Sequence, residues 1–270
     1  MRQPDQPDRP TDTWADSAAY ESYVGRWSRR VALAFLPWLS IAPGRRWLDV
    51  GCGSGALVQA ILDHAQPGEI KGIDRSPDYI RFLCQTIRDP RVSFDVADAQ
   101  SLPFKTGQYD VVVSGLVLNF IPEPEAAVRE MVRVTQPGAT IAAYVWDYAG
   151  EMQLIRHFWN AAVALDPAMR ERDEGLRFPL CHPNALRALF EGCGLHQVAV
   201  RAIDIDTTFH DFDDYWSPFL GGQGPAPGYA MSLSEDQRAA LRERIRATLP
   251  FADDGSIPLV ARAWAVRARR

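Results

Sequence analysis

Leu48-Asp49-Val50-Gly51-Cys52-Gly53-Ser54-Gly55-Ala56-Leu57 is the stretch from which the rest of the chain falls into order. The apolar run over 46–51 reads as a strand, the glycines as a tight turn, and Ala56 to about Ala65 as a helix. Glycines at such a turn let a ligand approach the backbone, and the helix start offers unpaired N–H groups. The letters also satisfy a dinucleotide pattern, with Gly51, Gly53 and Ala56 in place and the acidic Asp74 downstream, so the loop alone leaves two ligand classes open. Asp49 bears on the choice. Its carboxylate, two residues before the first glycine, is poorly placed beside a pyrophosphate and well placed beside a cation.

Working outward, strand-like runs recur at 69–76, 92–99, 109–118 and 139–147, with helices starting near Pro77 and spanning 123–134, and a turn at Gln136-Pro137-Gly138. The run at 109–118 is almost wholly apolar, as in a strand buried on both faces. Alternating strands and helices imply parallel crossovers, hence an α/β fold with a doubly wound sheet. Residues 14–38 carry apolar and aromatic residues at helical intervals and read as one or two helices ending at Pro37. Further on, 148–182 is helical and aromatic, Pro183 to Cys193 is a helix, 196–209 a long alternating strand, Ser234 to Leu249 a helix and 256–270 a closing strand. The Gly/Pro-rich stretch 221–228 reads as a loop, and the polar, Pro-rich residues 1–13 as a disordered tail.

Composition narrows the function classes. The 270 residues are 47% hydrophobic with a net charge of −5, an ordinary globular balance without the basic field that draws nucleic acid or anionic membrane. Cys52, Cys84, Cys181 and Cys193 lack the spacing of a zinc site or a disulfide framework, which fits a reducing compartment. No apolar run reaches membrane-span length, so the expectation is a cytoplasmic protein with no membrane span and no nucleic-acid partner. The acids Asp204, Asp206, Asp211, Asp213 and Asp214 read as a solvated face, and no metal is expected.

Together, LDVGCGSGAL (48–57), GIDRSPDYI (72–80), VADAQSLPF (96–104), YDVVVSGLVLNF (109–120) and REMVRVTQPGATI (129–141) resemble, in order and spacing, the class I S-adenosylmethionine-dependent methyltransferases. The likeness is to the small-molecule branch that includes the ubiquinone and menaquinone methyltransferases. It implies a Rossmann-like sheet of seven mostly parallel strands with an antiparallel last strand, helices on both faces and helical cap insertions. The implied organisation is one domain over 14–270, with N-terminal cap helices (14–39), a cofactor-binding core (40–147), cap insertions (148–182 and 211–257) and late strands (196–209 and 256–270). The implied cofactor is S-adenosyl-L-methionine, with a small-molecule methyl acceptor, in a monomer or homodimer.

By the same resemblance, Gly51, Cys52, Gly53 and Gly55 cradle the amino-acid end of the cofactor with Asp49 near its ammonium group. Asp74 would accept both ribose hydroxyls, Arg75 and Ser76 would flank the ribose and adenine edge, and Asp98, Ala99 and Gln100 would meet the adenine. Ser114, Gly115 and Leu116 lie where ligands gather in such sheets, and Tyr20, Tyr23, Arg26 and Trp27 belong to a segment that folds over the cofactor in this family. Asn119 stands near where the family often has histidine; with Trp146 and Trp216 it is a substrate-side candidate. Asp147, Tyr148, His157 and His210 are candidates for orienting or deprotonating the acceptor. Two alternatives stay open at this stage: a non-catalytic S-adenosylmethionine-binding protein and an NAD(P)-dependent oxidoreductase.

Overall fold

The computed structural model describes residues 21–222 and 224–270. Their seven strands, β1 (Arg46–Val50), β2 (Glu69–Asp74), β3 (Val92–Val96), β4 (Tyr109–Gly115), β5 (Thr135–Trp146), β6 (His196–Phe209) and β7 (Ile257–Arg269), form one sheet in the order β3-β2-β1-β4-β5-β7-β6. Strands β1 to β5 run parallel, and β7 runs antiparallel to both β5 and β6, as expected for the last strand. The central strands read as unbroken apolar runs because helices cover both of their faces: Leu48, Val50, Val112 and Val113 are completely buried. The order reverses direction between β1 and β4, which opens a crevice at their carboxyl ends.

Helices α1 (Arg26–Leu39), α2 (Ala56–His64), α3 (Pro77–Thr86) and α4 (Pro124–Val134) flank this half of the sheet. In α1 the stripe Trp27, Val31, Phe35 and Leu39 repeats every fourth residue and is buried. Phe35 meets Tyr144 of β5 edge to face at 4.8 Å, clamping α1 to the sheet. Truncation of this fully buried ring, Phe35→Ala, is expected to cost about 3–5 kcal/mol in urea unfolding. The helix runs two residues past Pro37, where the sequence suggested an end, because a proline in the last turn removes only one ladder bond; Ser40 then closes it in a left-handed conformation, its N–H donating to the Pro37 carbonyl.

The turn at Gln136-Pro137-Gly138 lies inside β5 as a bulge: pairing with β4 passes from Tyr109–Thr135 directly to Val111–Thr140, and Gly138 takes φ 76°. Beyond β5, α5 (Gln153–Leu165) and α6 (Pro183–Gly192) precede β6, and α7 (Pro225–Ser232) and α8 (Glu235–Arg246) precede β7. Helix α7 corrects the reading of 221–228 as a loop. Pro225 and Pro227 fall in its first turn, where backbone N–H groups have no intrahelical partner, so proline is tolerated rather than disruptive there. Helix α7 seats Tyr229 on Trp159 of α5 (5.6 Å, stacked), and the neighbouring Phe219 stacks on Phe158 (4.6 Å), giving the cap its own aromatic core. Among the described residues no helix is long and apolar enough to cross a membrane.

Candidate active site

A cavity of about 590 Å³ fills the crevice at the carboxyl ends of β1, β2, β4 and β5. Its floor is the glycine turn. Gly51, Gly53 and Gly55 all have positive φ (78°, 48° and 88°), which lets the chain reverse from β1 into α2 within five residues. The N–H groups of Gly51 and Cys52 both donate to the Ile73 carbonyl at 2.8 Å, tying the turn to β2. Asp74, at the end of β2, accepts from the Gly53 N–H (3.0 Å) on one oxygen and the Ser76 N–H (2.8 Å) on the other. Each of its oxygens keeps lone pairs for vicinal hydroxyls.

Asp49 is the electrostatic centre of the floor. It is 1% exposed, and neither carboxylate oxygen has a hydrogen-bond partner. Burial, reinforced by the Asp74 charge, pushes its carboxyl up to about 8. A buried carboxylate left in that state beside a cavity is a vacant half of an ion pair or hydrogen bond.

Of the residues singled out in the sequence, Asp49, Gly51, Cys52, Gly53, Asp74, Arg75 and Ser76 line the floor, with Asp98, Ala99 and Gln100 along the adjoining edge. Gly115, Leu116, Trp146 and Tyr148 line the opposite wall. Asp98 holds the edge loop in shape by accepting from the Gln100 N–H at 2.8 Å. Leu116 sits at φ 62°, a left-handed conformation rare outside glycine, held by its N–H bond to the Tyr144 carbonyl at 2.7 Å. Gly115 is required by Tyr144, since a Cβ there would lie 2.5 Å from the Tyr144 hydroxyl oxygen.

Other expected residues serve elsewhere. Gly55 caps α2, where a Cβ would lie 2.5 Å from Leu83 Cδ2, so it packs α2 against α3. The Ser114 hydroxyl is buried and donates to the Val50 carbonyl at 2.7 Å. Arg26 pairs with Asp214 (2.7 Å) and lies over the rings of Trp27 and Phe209, while Trp27 packs edge-on against Phe209 at 5.5 Å; Arg26 thus joins α1 to the cap and Trp27 joins it to β6, and neither lines the cavity. Tyr23 is buried beside them, its ring 5.5 Å from Phe219. Trp216 belongs to the aromatic cap core, and Asn119, in the short turn Leu118–Phe120, is outside the lining. Tyr20 lies outside the described residues.

Three of the four base candidates are not at the cavity either. The Asp147 oxygens accept from the Gly150 and Glu151 N–H groups, both at 3.0 Å, and so cap the turn after β5. His157 is half-buried on α5, where burial lowers its basicity, and the His210 side chain is 93% exposed against Asp211. His210→Ala and His157→Ala are therefore expected to leave turnover within about twofold of the wild type in a steady-state assay. Sequence reasoning missed Val24, Ser28, Asp78, Tyr79, Phe120, Ile121, Pro122 and Tyr144, all of which line the cavity. Tyr144 was within reach, because it alternates with Trp146 along β5 and so shares its face.

Comparison with known proteins agrees with this architecture. A family model described as a methyltransferase domain matches residues 48–143, from β1 into β5. Norajmaline N-methyltransferase of Rauvolfia serpentina is 35% identical over 228 residues, 80% of this chain and 74% of that protein. The 2-methyl-6-phytyl-1,4-hydroquinone methyltransferase of a Synechocystis strain is 31% identical over 125 residues, 46% of this chain and 39% of that one. Among solved structures, phosphoethanolamine N-methyltransferase 2 of Haemonchus contortus, in complex with phosphomonomethylethanolamine and S-adenosylhomocysteine, superposes with a TM-score of 0.59 at 15% identity, covering 94% of this chain and 56% of that one, a likeness of fold. With the glycine turn at the switch point of this seven-stranded sheet and a relative matching across most of both chains, this chain belongs to the class I S-adenosylmethionine-dependent methyltransferases.

Proposed function

We propose that the chain transfers a methyl group from S-adenosylmethionine to a small, largely apolar organic acceptor held against the wall formed by Leu116, Phe120, Tyr144, Trp146 and Tyr148. The observation that carries this reading is Asp49, a buried carboxylate with both oxygens unpartnered at the glycine floor. A cationic amino-acid group is the partner such a carboxylate lacks, directly or through water. Asp74 would take the ribose hydroxyls and the Asp98–Gln100 edge the adenine. When bound, S-adenosylmethionine supplies a methyl carbon on a sulfonium, with a neutral thioether as leaving group.

The chain's task is then to align and desolvate. The aromatic wall excludes water and fixes the acceptor's angle of approach. Leu116, in its left-handed conformation just after β4, adds an apolar residue to that wall. The curated relatives are named for transfer to a nitrogen compound and to a hydroquinone, both small organic molecules. Four free cysteines suit a cytoplasmic setting.

Calorimetric titration with S-adenosylhomocysteine and, separately, NADH tests the cofactor half. S-adenosylhomocysteine is expected to bind, with the affinity falling at least about tenfold in Asp74→Ala, and NADH is not. Preference for NADH would return the glycine turn to a dinucleotide reading.

A further inference from the structure

The two ends of the cavity differ in charge. Asp49, Asp74, Asp78, Asp98 and Arg75 all lie on the floor and its edge, whereas the wall of Val24, Leu116, Phe120, Tyr144, Trp146 and Tyr148 carries no carboxylate, imidazole or cationic side chain. One layer behind that wall stands Glu174. It is 1% exposed, in the one-turn segment Glu174–Arg177, and its Oε2 accepts the Trp159 indole N–H at 2.7 Å.

Three observations fix this segment against Tyr148. Asp173 is locked to Arg156 at 2.7 Å, anchoring the segment's start. A Cβ at Gly175 would lie 3.1 Å from the Tyr148 carbonyl oxygen, so Glu174 and Tyr148 are on directly packed stretches of backbone. Phe178 then packs on both Tyr148 (5.4 Å) and Phe120 (5.1 Å), two residues of the wall. Burial above all, with the Glu174 carboxylate adding to it, holds the proton on the Tyr23 hydroxyl, which has no hydrogen-bond partner.

A nucleophile that must first lose a proton, such as an alcohol, needs a base beside it, and the described wall offers only the phenol hydroxyls of Tyr144 and Tyr148, poor bases while they keep their protons. An acceptor that is already anionic, a thiolate or phenolate, would be repelled by Asp74, Asp78 and Asp98 and by Glu174. An alkylamine is an ammonium at neutral pH and would itself need the missing base, whereas an arylamine, whose lone pair is conjugated with the ring and which is uncharged there, meets neither obstacle. Its nitrogen lone pair forms the new N–C bond as the C–S bonding pair withdraws onto sulfur. Sulfonium and amine become thioether and ammonium, and the ammonium releases its proton to water afterwards. Positive charge thus arrives on the acceptor during the step, next to aromatic faces and in front of a buried carboxylate, both of which favour it.

We infer that the acceptor is an arylamine, uncharged at neutral pH, and that Glu174 is a positioning residue that, through Tyr148 and the aromatic wall, favours methyl transfer to its nitrogen. This rests on the methyl-transfer reading of the cavity. The experiment compares aniline, benzyl alcohol and benzyl mercaptan as acceptors with S-adenosylmethionine, in wild type, Glu174→Gln and Trp159→Phe, following S-adenosylhomocysteine formation and product mass, with S-adenosylhomocysteine affinity measured in parallel.

The amine is expected to be turned over at least about tenfold faster than the other two. Glu174→Gln, which keeps an acceptor for Trp159 and removes the charge, should lower kcat on the amine about tenfold with KM nearly unchanged, and should narrow the ratio of amine to thiol turnover. Trp159→Phe, which keeps the charge and removes one hydrogen bond, should leave that ratio intact. If Glu174→Gln fails to fold, the wild-type preference and the Trp159→Phe ratio still decide. Preference for the alcohol or thiol, no turnover of the amine while S-adenosylhomocysteine still binds, or an equal loss on amine and thiol in Glu174→Gln overturns the inference. Absence of S-adenosylhomocysteine binding fails the underlying reading instead, and the two failures are told apart by the binding measurement.

Discussion

Asp49→Asn is expected to make the empty protein more stable at neutral pH while stripping it of most of its cofactor affinity. In the unfolded chain the carboxyl ionises near its ordinary value of 3.8, whereas in the folded protein it does so only at about 8. Folding at pH 7 therefore takes up a proton, and the native state loses stability as pH rises from about 4 to about 8, by roughly 4 kcal/mol in all at pH 7. Asparagine escapes that penalty and pays about the desolvation cost of the protonated carboxyl it replaces, so a net gain of about 2–4 kcal/mol remains, or about 4–8 °C in Tm. The gain should vanish below about pH 3, where aspartate is protonated in both states. Cofactor affinity should fall about 10–100-fold, the value of one charge-assisted hydrogen bond. Because a cationic partner favours the ionised carboxyl, wild-type binding at pH 7 should release close to one proton and tighten toward pH 8. Calorimetry in buffers of different ionisation enthalpy reads this directly, and Asp49→Asn should release none. Equal melting temperatures at pH 7 with unchanged affinity would remove Asp49 from the site.

The second large effect separates two glycines that look alike in sequence. A Cβ at Gly51 would lie 2.6 Å from Val117 Cγ1, while at Gly53 nothing stands within 4 Å. Both backbones are left-handed, which costs alanine about 1–2 kcal/mol. Gly51→Ala adds an overpacking cost of about 1–3 kcal/mol and should lower Tm by about 4–10 °C. Gly53→Ala should shift Tm by no more than about 4 °C yet weaken S-adenosylhomocysteine binding at least about tenfold, because its methyl occupies space on the cavity floor. Identical thermal losses in the two variants would mean that the Val117 contact relaxes freely.

The strands and the floor were legible in the sequence for a local reason. Parallel strands buried on both faces read as apolar runs, and Asp49, Asp74 and Asp98 lie at or just beyond strand ends, where a short window of sequence locates them. The wall depends on distant partners. Arg26 read as a cofactor contact because nothing near it reveals Asp214, 188 residues away, which claims its guanidinium. Val24 and Ser28 reach the cavity only because α1 is laid across β5 by Phe35 and Tyr144. Helix α7 was hidden by its composition: glycine and proline punctuate loops, and only the position of both prolines in the first turn makes a helix of them.

The division of the cavity at the β1–β4 switch point also bears on how such a protein diversifies. The floor comes from turns after β1, β2 and β3, and the wall from the ends of β4 and β5 with the segments packed behind them. Descendants of this chain can therefore exchange the molecules they modify by drift in one half of the sheet while the other half, and with it the shared reagent, is inherited unaltered.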